Sequence, residues 1–483
     1  MTATDASQSP LETRLFINGQ YVSAKTDARL TCYNAQDNSE VSSDVHVAKQ
    51  ADVDAAVEAA RAAYPLWSST PPMERALKLL KLADLIDANA DELVRLESLC
   101  SAKPLEESKK FEVTLTANIF RYYAGWCDKL EGETLPADNG FLKIVRREPI
   151  GVCAAVNAFN GPVPMVAMKG APCLAAGNTM VMKASEKSPL STLFFGKLFQ
   201  EAGFPPGVFN LISGAGETGA FLSSHVGIDK ISFTGSVNTG KKIAQMAAAS
   251  NLKRVTLELG GKSPSIVFSD ANLDVAVEWC TRGIILNSGQ ACIASSRVYV
   301  HRDIKEEFIK RMKHSFENTH GLFGDPSKST TKIGPLVDKT QFERGCWIKP
   351  TIFVDPKPDA RIYKEEIFGP VVVITDFTDE DDVIARANDT QFGLSGAVFS
   401  QDINRALRVS SKIHSGTVCV NCCTMIDYVA PFGGFKSSGW GRELGKYGIH
   451  AYTEAKTVFV KRLESWTVDE RVKYFDQQDV VEL

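Results

Sequence analysis

The chain reads as an α/β protein built on doubly wound parallel sheets, and three observations predict this. From about residue 150 to residue 258, strand-length apolar runs alternate with helix-length segments. Several of those runs are apolar at nearly every position, as in strands covered on both faces. At 483 residues the chain is too long for one small core, so two or three domains are expected.

The elements follow in order. Residues 15–22 read as a hairpin turning at Asn18-Gly19, a pair that accepts the left-handed backbone of a tight turn. Residues 51–67 and 73–88 have helical spacing, the second after Pro71-Pro72, and helical patterning continues to about Trp126. Strands are expected at 150–156, 179–183, 208–212, 230–233 and 254–258. Helices between them are expected at about 163–176, 190–202 and 236–249. Nucleotides bind such sheets at the carboxyl ends of the strands. The second half has a similar rhythm, and 456–461 is a late strand. That strand either pairs with another subunit's sheet or is an edge of its own domain.

Composition narrows the classes. Hydrophobic residues make up 44% and charged residues 23%, as in soluble globular proteins. A net charge of −4 offers no attraction for nucleic acid or anionic membranes. No apolar run is long enough to span a bilayer, and the first residues lack a secretory pattern. A cytoplasmic location is expected. Eleven cysteines without framework spacing suggest reduced thiols. Cys419 and Cys422 form a C-x-x-C with strand-like flanks; packing is the simpler reading, metal or redox chemistry the other, and no metal is expected.

Two segments suggest covalent chemistry. Glu258 lies in Leu257-Glu258-Leu259-Gly260-Gly261-Lys262, and Cys292 in Asn287-Ser288-Gly289-Gln290-Ala291-Cys292. A thiolate can add to a carbonyl carbon, and a carboxylate can later deprotonate water. No histidine lies within eight residues of Cys292, so no local Cys-His pair is offered.

Three further segments suggest a dinucleotide. Ser213 to Gly219 contains a G-x-G-x-x-G, but after a late strand and without the usual acidic residue downstream. Phe233-Thr234-Gly235-Ser236 either meets phosphate at a helix start, with Gly235 allowing close approach, or is a turn with a serine cap. Lys183 and Glu186 follow a strand. Glu186 could accept both hydroxyls of an adenosine ribose and repel a 2′-phosphate, favouring NAD over NADP; otherwise both are solvated loop charge.

These motifs occur in order with Ala175-Ala176-Gly177-Asn178-Thr179, Glu365-Glu366-Ile367-Phe368-Gly369-Pro370, Pro431-Phe432-Gly433-Gly434-Phe435-Lys436 and Gly441-Arg442-Glu443-Leu444-Gly445. Over almost its full length the chain resembles the aldehyde dehydrogenases. The resemblance implies a cofactor domain over 1–125 and 148–257, a catalytic domain over 258–447, and a small β oligomerisation flap over 126–147 and 448–483. It implies Cys292 as nucleophile, Glu258 as the base for the hydrolytic water, and Asn160 as an oxyanion donor together with the Cys292 N–H. Lys183 and Glu186 would hold the adenosine ribose, and Gly216 would lie near the adenine. Gly235 and Ser236 would meet the pyrophosphate, Glu366 and Phe368 the nicotinamide riboside. Lys169 and Glu443 would pass protons to solvent or form a structural ion pair. An aldehyde substrate, NAD and a homodimer or homotetramer are implied.

Two departures from the family pattern matter. Ala158 and Phe159 replace the usual proline and tryptophan before Asn160, and Gly161 replaces a bulky aromatic, which implies a reshaped tunnel and a bulky or aromatic aldehyde. The stretch from Cys292 to Glu366 is also shorter than in the family by roughly two dozen residues, more than a typical surface loop. The shortfall falls where Glu343-Arg344 runs into Gly345-Cys346. A non-catalytic or weakened relative is therefore a second reading. A coenzyme A-acylating enzyme is a third, and Glu258 argues against it.

Overall fold

The computed structural model describes residues 10–137, 139–345 and 349–461. The expected flap residues 462–483 and the junction at 346–348 lie outside the described residues.

An eight-stranded sheet organises the first half. In spatial order its strands are Gly439–Trp440, Arg254–Glu258, Lys230–Thr234, Val152–Val156, Thr179–Lys183, Phe209–Ile212, Leu15–Ile17 and Gln20–Val22. The five strands between 152 and 258 are parallel. Each is connected by a helix that covers a face, so the three strands Val152–Val156, Thr179–Lys183 and Phe209–Ile212 are buried on both sides throughout, while Arg254–Glu258 begins exposed at Arg254. From Val152–Val156 the chain first winds one way, through 179–183 and 209–212. It then returns and winds the other way, through 230–234 and 254–258. Winding reverses beside the strand Val152–Val156, and this reversal opens a crevice at the carboxyl ends.

The expected hairpin is present. Ile17 pairs with Gln20, and Asn18 and Gly19 have φ of 53° and 77°, the left-handed pair such a two-residue turn needs. One expected strand begins later than its apolar run. Ile150 and Gly151 are not in it, because Gly151 has φ of 136° and its N–H is taken by the Asn178 side chain. The helices Gln50–Ser69 and Pro72–Ala88 lie where the spacing places them.

The second half carries a six-stranded parallel sheet, in the order Thr351–Val354, Val371–Phe377, Arg297–His301, Pro264–Val267, Ser395–Phe399 and Thr417–Val420. Its outermost strand, Thr351–Val354, starts just after the shortened junction. Cys419 is buried within Thr417–Val420, paired with Ala397. The late strand is longer than expected, Thr453–Lys461. It pairs antiparallel with Phe141–Pro149 along nine residues and forms the edge of a three-stranded sheet with Glu133–Leu135. Within this chain it is thus an edge strand of its own small sheet. Two details bear on the domain limits: Phe141–Pro149 runs beyond residue 147, and Gly439–Trp440 joins the first sheet rather than the second. No helix among the described residues is long and apolar enough to cross a membrane.

Candidate active site

All five parallel strands of the first sheet deliver a candidate residue at their carboxyl ends. Val152–Val156 leads to Asn160, Thr179–Lys183 to Lys183 and Glu186, and Phe209–Ile212 to Gly216. Lys230–Thr234 leads to Gly235 and Ser236, and Arg254–Glu258 ends on Glu258. A sheet built this way concentrates chemistry along one edge.

Cys292 comes from the other half. The helix Leu273–Ile285 ends in a tight turn in which Asn287 and Ser288 have φ of 48° and 56°. Their short polar side chains tolerate the left-handed region better than most. Cys292 is partly buried, and burial, with the nearby charges of Glu366 and Glu258, pushes its thiol up to about 12. Asn160 Nδ2 donates to the Gln290 carbonyl at 3.2 Å, which places the amide two residues from the cysteine. An amide has a second N–H to offer. Asn287 Nδ2 reaches the carbonyls of Asn160 at 3.1 Å and Gln290 at 3.3 Å, tying the two segments together.

Glu258 is 2% exposed, and neither carboxylate oxygen has a hydrogen-bond partner among the described residues. Burial holds its carboxyl well above the usual range, and Glu443 adds to the rise, while Lys169 and Arg442 oppose it. An unpartnered buried carboxylate is costly, so its persistence points to use rather than stability. Lys169 and Glu443 form a fully buried ion pair, bridged by Ser232 Oγ, which accepts from Lys169 at 3.2 Å and donates to Glu443 at 3.0 Å. The pair is adjacent to the candidate base, and its geometry suits either a structural or a proton-carrying role.

On the cofactor side, Lys183 is buried and donates to the carbonyls of Gly214 (2.6 Å) and Ala184 (2.7 Å) and to Glu186 (3.3 Å). Burial holds its ammonium below the usual lysine range. The glycine-bearing loop thus accepts from Lys183, and Gly216 begins the next helix with open space around it. Ser236 caps the helix Val237–Ser250, its hydroxyl accepting from the Thr239 N–H at 3.3 Å. Both readings of this serine remain compatible, since helix N-termini have spare N–H groups. Gly235 has a local reason to be glycine as well, because a Cβ there would run into the Phe233 ring.

Glu366 accepts the Gly261 N–H at 2.9 Å, and Phe368, at φ of 60°, packs edge-on against Phe159 at 5.7 Å between centroids. Glu366 and Phe368 are therefore brought to the Glu258–Cys292 region, whereas Gly216 and Glu186 lie at other strand ends. Two residues escaped the sequence reading. Gly261 packs so closely that a Cβ would collide with the Cys292 carbonyl. Gln341 Nε2 donates to the carbonyls of Ile367 (3.1 Å) and Phe368 (2.9 Å), fixing that loop. The Gly260-Gly261 pair was the only signal for the first; nothing in the sequence pointed to Gln341.

This arrangement matches a known family. The model of the Aldehyde dehydrogenase family matches residues 21–346 and again 341–458. The chain belongs to the aldehyde dehydrogenase family. Its members are oxidoreductases that act on aldehydes. Human Retinal dehydrogenase 2 is 45% identical over 478 residues, covering 93% of this chain and 92% of its own length. An Aldehyde dehydrogenase of Emericella nidulans is 44% identical, covering 92% and 94%. Among solved structures, a putative aldehyde dehydrogenase from Burkholderia cenocepacia superposes with a TM-score of 0.91 at 39% identity, covering 95% and 99%. The NAD+ complex of an aldehyde dehydrogenase from Bacillus cereus gives 0.90 at 40%, covering 93% and 96%. The family match restarts near residue 341 instead of running through, at the place where the sequence is short.

Proposed function

We propose that the protein oxidises an aldehyde to a carboxylic acid with NAD, through a thioester on Cys292 that Glu258-activated water hydrolyses. The observation that carries this is Glu258 buried without a partner near Cys292, with Asn160 beside the cysteine's own segment. The chain's groups fit the cofactor. Glu186 is a half-exposed carboxylate held beside Lys183, and the helix start at Ser236 lies at the next strand end but one. NAD, when bound, accepts the hydride.

The residues do the rest. Cys292 loses its thiol proton to solvent, its Sγ bonds to the aldehyde carbon as the carbonyl π bond opens, and the oxygen gathers negative charge against Asn160 Nδ2 and the Cys292 N–H. Loss of hydride leaves the acyl group on sulfur as a thioester. Water then adds to that carbon, and its proton passes to Glu258; the carbon–sulfur bond breaks, releasing the acid and leaving Cys292 as the thiolate. Lys169 and Glu443 would carry the proton onward. The intact seating of Glu366 on Gly261 and of Phe368 under Gln341 supports an active enzyme despite the shortened junction.

Gly161 and Ala158 place little bulk beside Asn160, and relatives of this chain are named for retinal, a large aldehyde. A bulky or aromatic aldehyde is the proposed substrate. The test is NADH absorbance with NAD or NADP across a panel from acetaldehyde through benzaldehyde to retinal. The highest kcat/KM is expected for NAD with a large aldehyde; a preference for acetaldehyde would overturn the tunnel argument. No turnover and no NAD binding would favour the non-catalytic reading.

Oligomerisation is proposed through the three-stranded sheet. Its edge strand Thr453–Lys461 exposes Phe459 (62%) and Val460 (44%), and Leu135 adds to the apolar surface. Sedimentation should give a dimer or tetramer; a monomer at micromolar concentration would count against it. The ten described cysteines are free thiols, which supports a cytoplasmic setting that microscopy of a tagged protein can check.

A further inference from the structure

We propose that Lys103 is a positioning residue for acyl transfer, acting through the main-chain carbonyl of Asn160. The proposal rests on the reading of Asn160 as the oxyanion donor.

Lys103 lies just past the helix Ala90–Ser101, after Ala102, whose φ of 50° turns the chain inward. It is 7% exposed. An ammonium has three N–H groups, and each has an acceptor here: Glu97 at 2.6 Å, Glu112 at 2.7 Å and the Asn160 carbonyl at 2.9 Å. Nothing in this set is left to rotate. The lysine's own carbonyl accepts from Ser98 Oγ at 2.8 Å.

The Asn160 carbonyl receives a second donor, Asn287 Nδ2, at 3.1 Å. Asn160 Nδ2 in turn donates to Gln290, to which Asn287 also donates. Lys103 thus closes a network that holds the Asn160 backbone against the segment carrying Cys292. The same region is pinned from another side. Gly334 packs on the Ala102 carbonyl, where even a Cβ would be crowded at 2.7 Å, and the Gly334 carbonyl accepts from Ser288 Oγ.

The lysine's role is geometric and not that of a charge aimed at the oxyanion. Two carboxylates flank the ammonium, so the trio has no net positive charge to project. Burial disfavours the ammonium, but Glu112 and Glu97 outweigh it and keep the lysine charged. A donor such as the Asn160 amide is effective only when held within a fraction of an ångström of the developing charge, and loosening it costs up to about 100-fold in rate.

The test is the single-turnover burst of NADH with saturating NAD and aldehyde. Lys103→Met is expected to slow the burst about 10- to 100-fold. NAD affinity and the rate of Cys292 alkylation without aldehyde should stay within about twofold, which general damage to the fold would not allow. Because Lys103→Met strands the buried Glu97 and partly buried Glu112 carboxylates, the neutral triple variant Glu97→Gln, Lys103→Met, Glu112→Gln is the companion; it should melt near the parent and remain slow. In an Asn160→Ala background, Lys103→Met should add less than about twofold, since coupled residues are not additive. A parental burst rate in the neutral triple variant, or an undiminished Lys103 penalty on top of Asn160→Ala, would overturn the proposal. A parental burst rate in Asn160→Ala alone would instead overturn the reading of Asn160 on which it rests.

Discussion

Cys292→Ala is expected to abolish NADH formation, by at least about 10⁴-fold, as when other covalent enzymes lose their nucleophile. The loss should be chemical rather than structural. Cys292 is only partly buried, and removing one sulfur from such a position costs little stability, so the melting temperature should shift by no more than a few degrees. NAD binding should persist, because the candidate adenosine-ribose and pyrophosphate residues, Glu186 and Ser236, come from strand ends of the first sheet and not from the Cys292 segment. In the free protein the thiol is pushed up to about 12, so it is protonated at neutral pH. Alkylation of Cys292 by iodoacetamide should therefore accelerate about tenfold per pH unit between 7 and 10. Turnover by Cys292→Ala at even a hundredth of the parental rate would rule out this nucleophile.

Glu258→Gln should separate the two halves of the reaction. Glutamine has nearly the same shape but cannot take a proton from water. The first NADH should form, about one per subunit, after which turnover should fall about 10²- to 10⁴-fold as the acyl-enzyme accumulates. The same residue sets a pH dependence. Its folded pKa is raised by burial and by Glu443, and only the ionised form is a base. Steady-state turnover is therefore present above the raised pKa and is lost as pH falls through it, well before the ordinary carboxylate range is reached. Glu258→Gln should remove that acidic limb from the residual rate. A variant that turns over steadily, without a burst, would contradict the assigned role.

Much of this was legible in the sequence, for identifiable reasons. The parallel strands announce themselves by apolar runs, and turn chemistry fixes the Asn18-Gly19 hairpin, because both signals are local. Candidate residues could then be placed at strand ends, where such sheets concentrate function. What was not legible depends on distant partners. Gly151 looked like part of an apolar run until Asn178 took its N–H. That the late strand is an edge of a small sheet in its own chain was not readable until its nine pairs with Phe141–Pro149 formed. Gly235 reads as a ligand contact but is also required by Phe233, two residues away. Lys103, Glu112 and Asn160 carry no shared periodicity in sequence; only tertiary packing brings the Glu112 carboxylate and the Asn160 carbonyl to the one Lys103 ammonium. Gln341 stands a few residues before the shortened junction, and its contacts explain how the loop of Glu366 and Phe368 stays placed.

The most direct measurement is the mass of the peptide containing Cys292 after Glu258→Gln protein is mixed with NAD and its best aldehyde and quenched in acid. A stable acyl group on Cys292, in amount equal to the NADH of the burst, is the predicted result. An unmodified Cys292 beside a full burst of NADH would contradict a covalent thioester route.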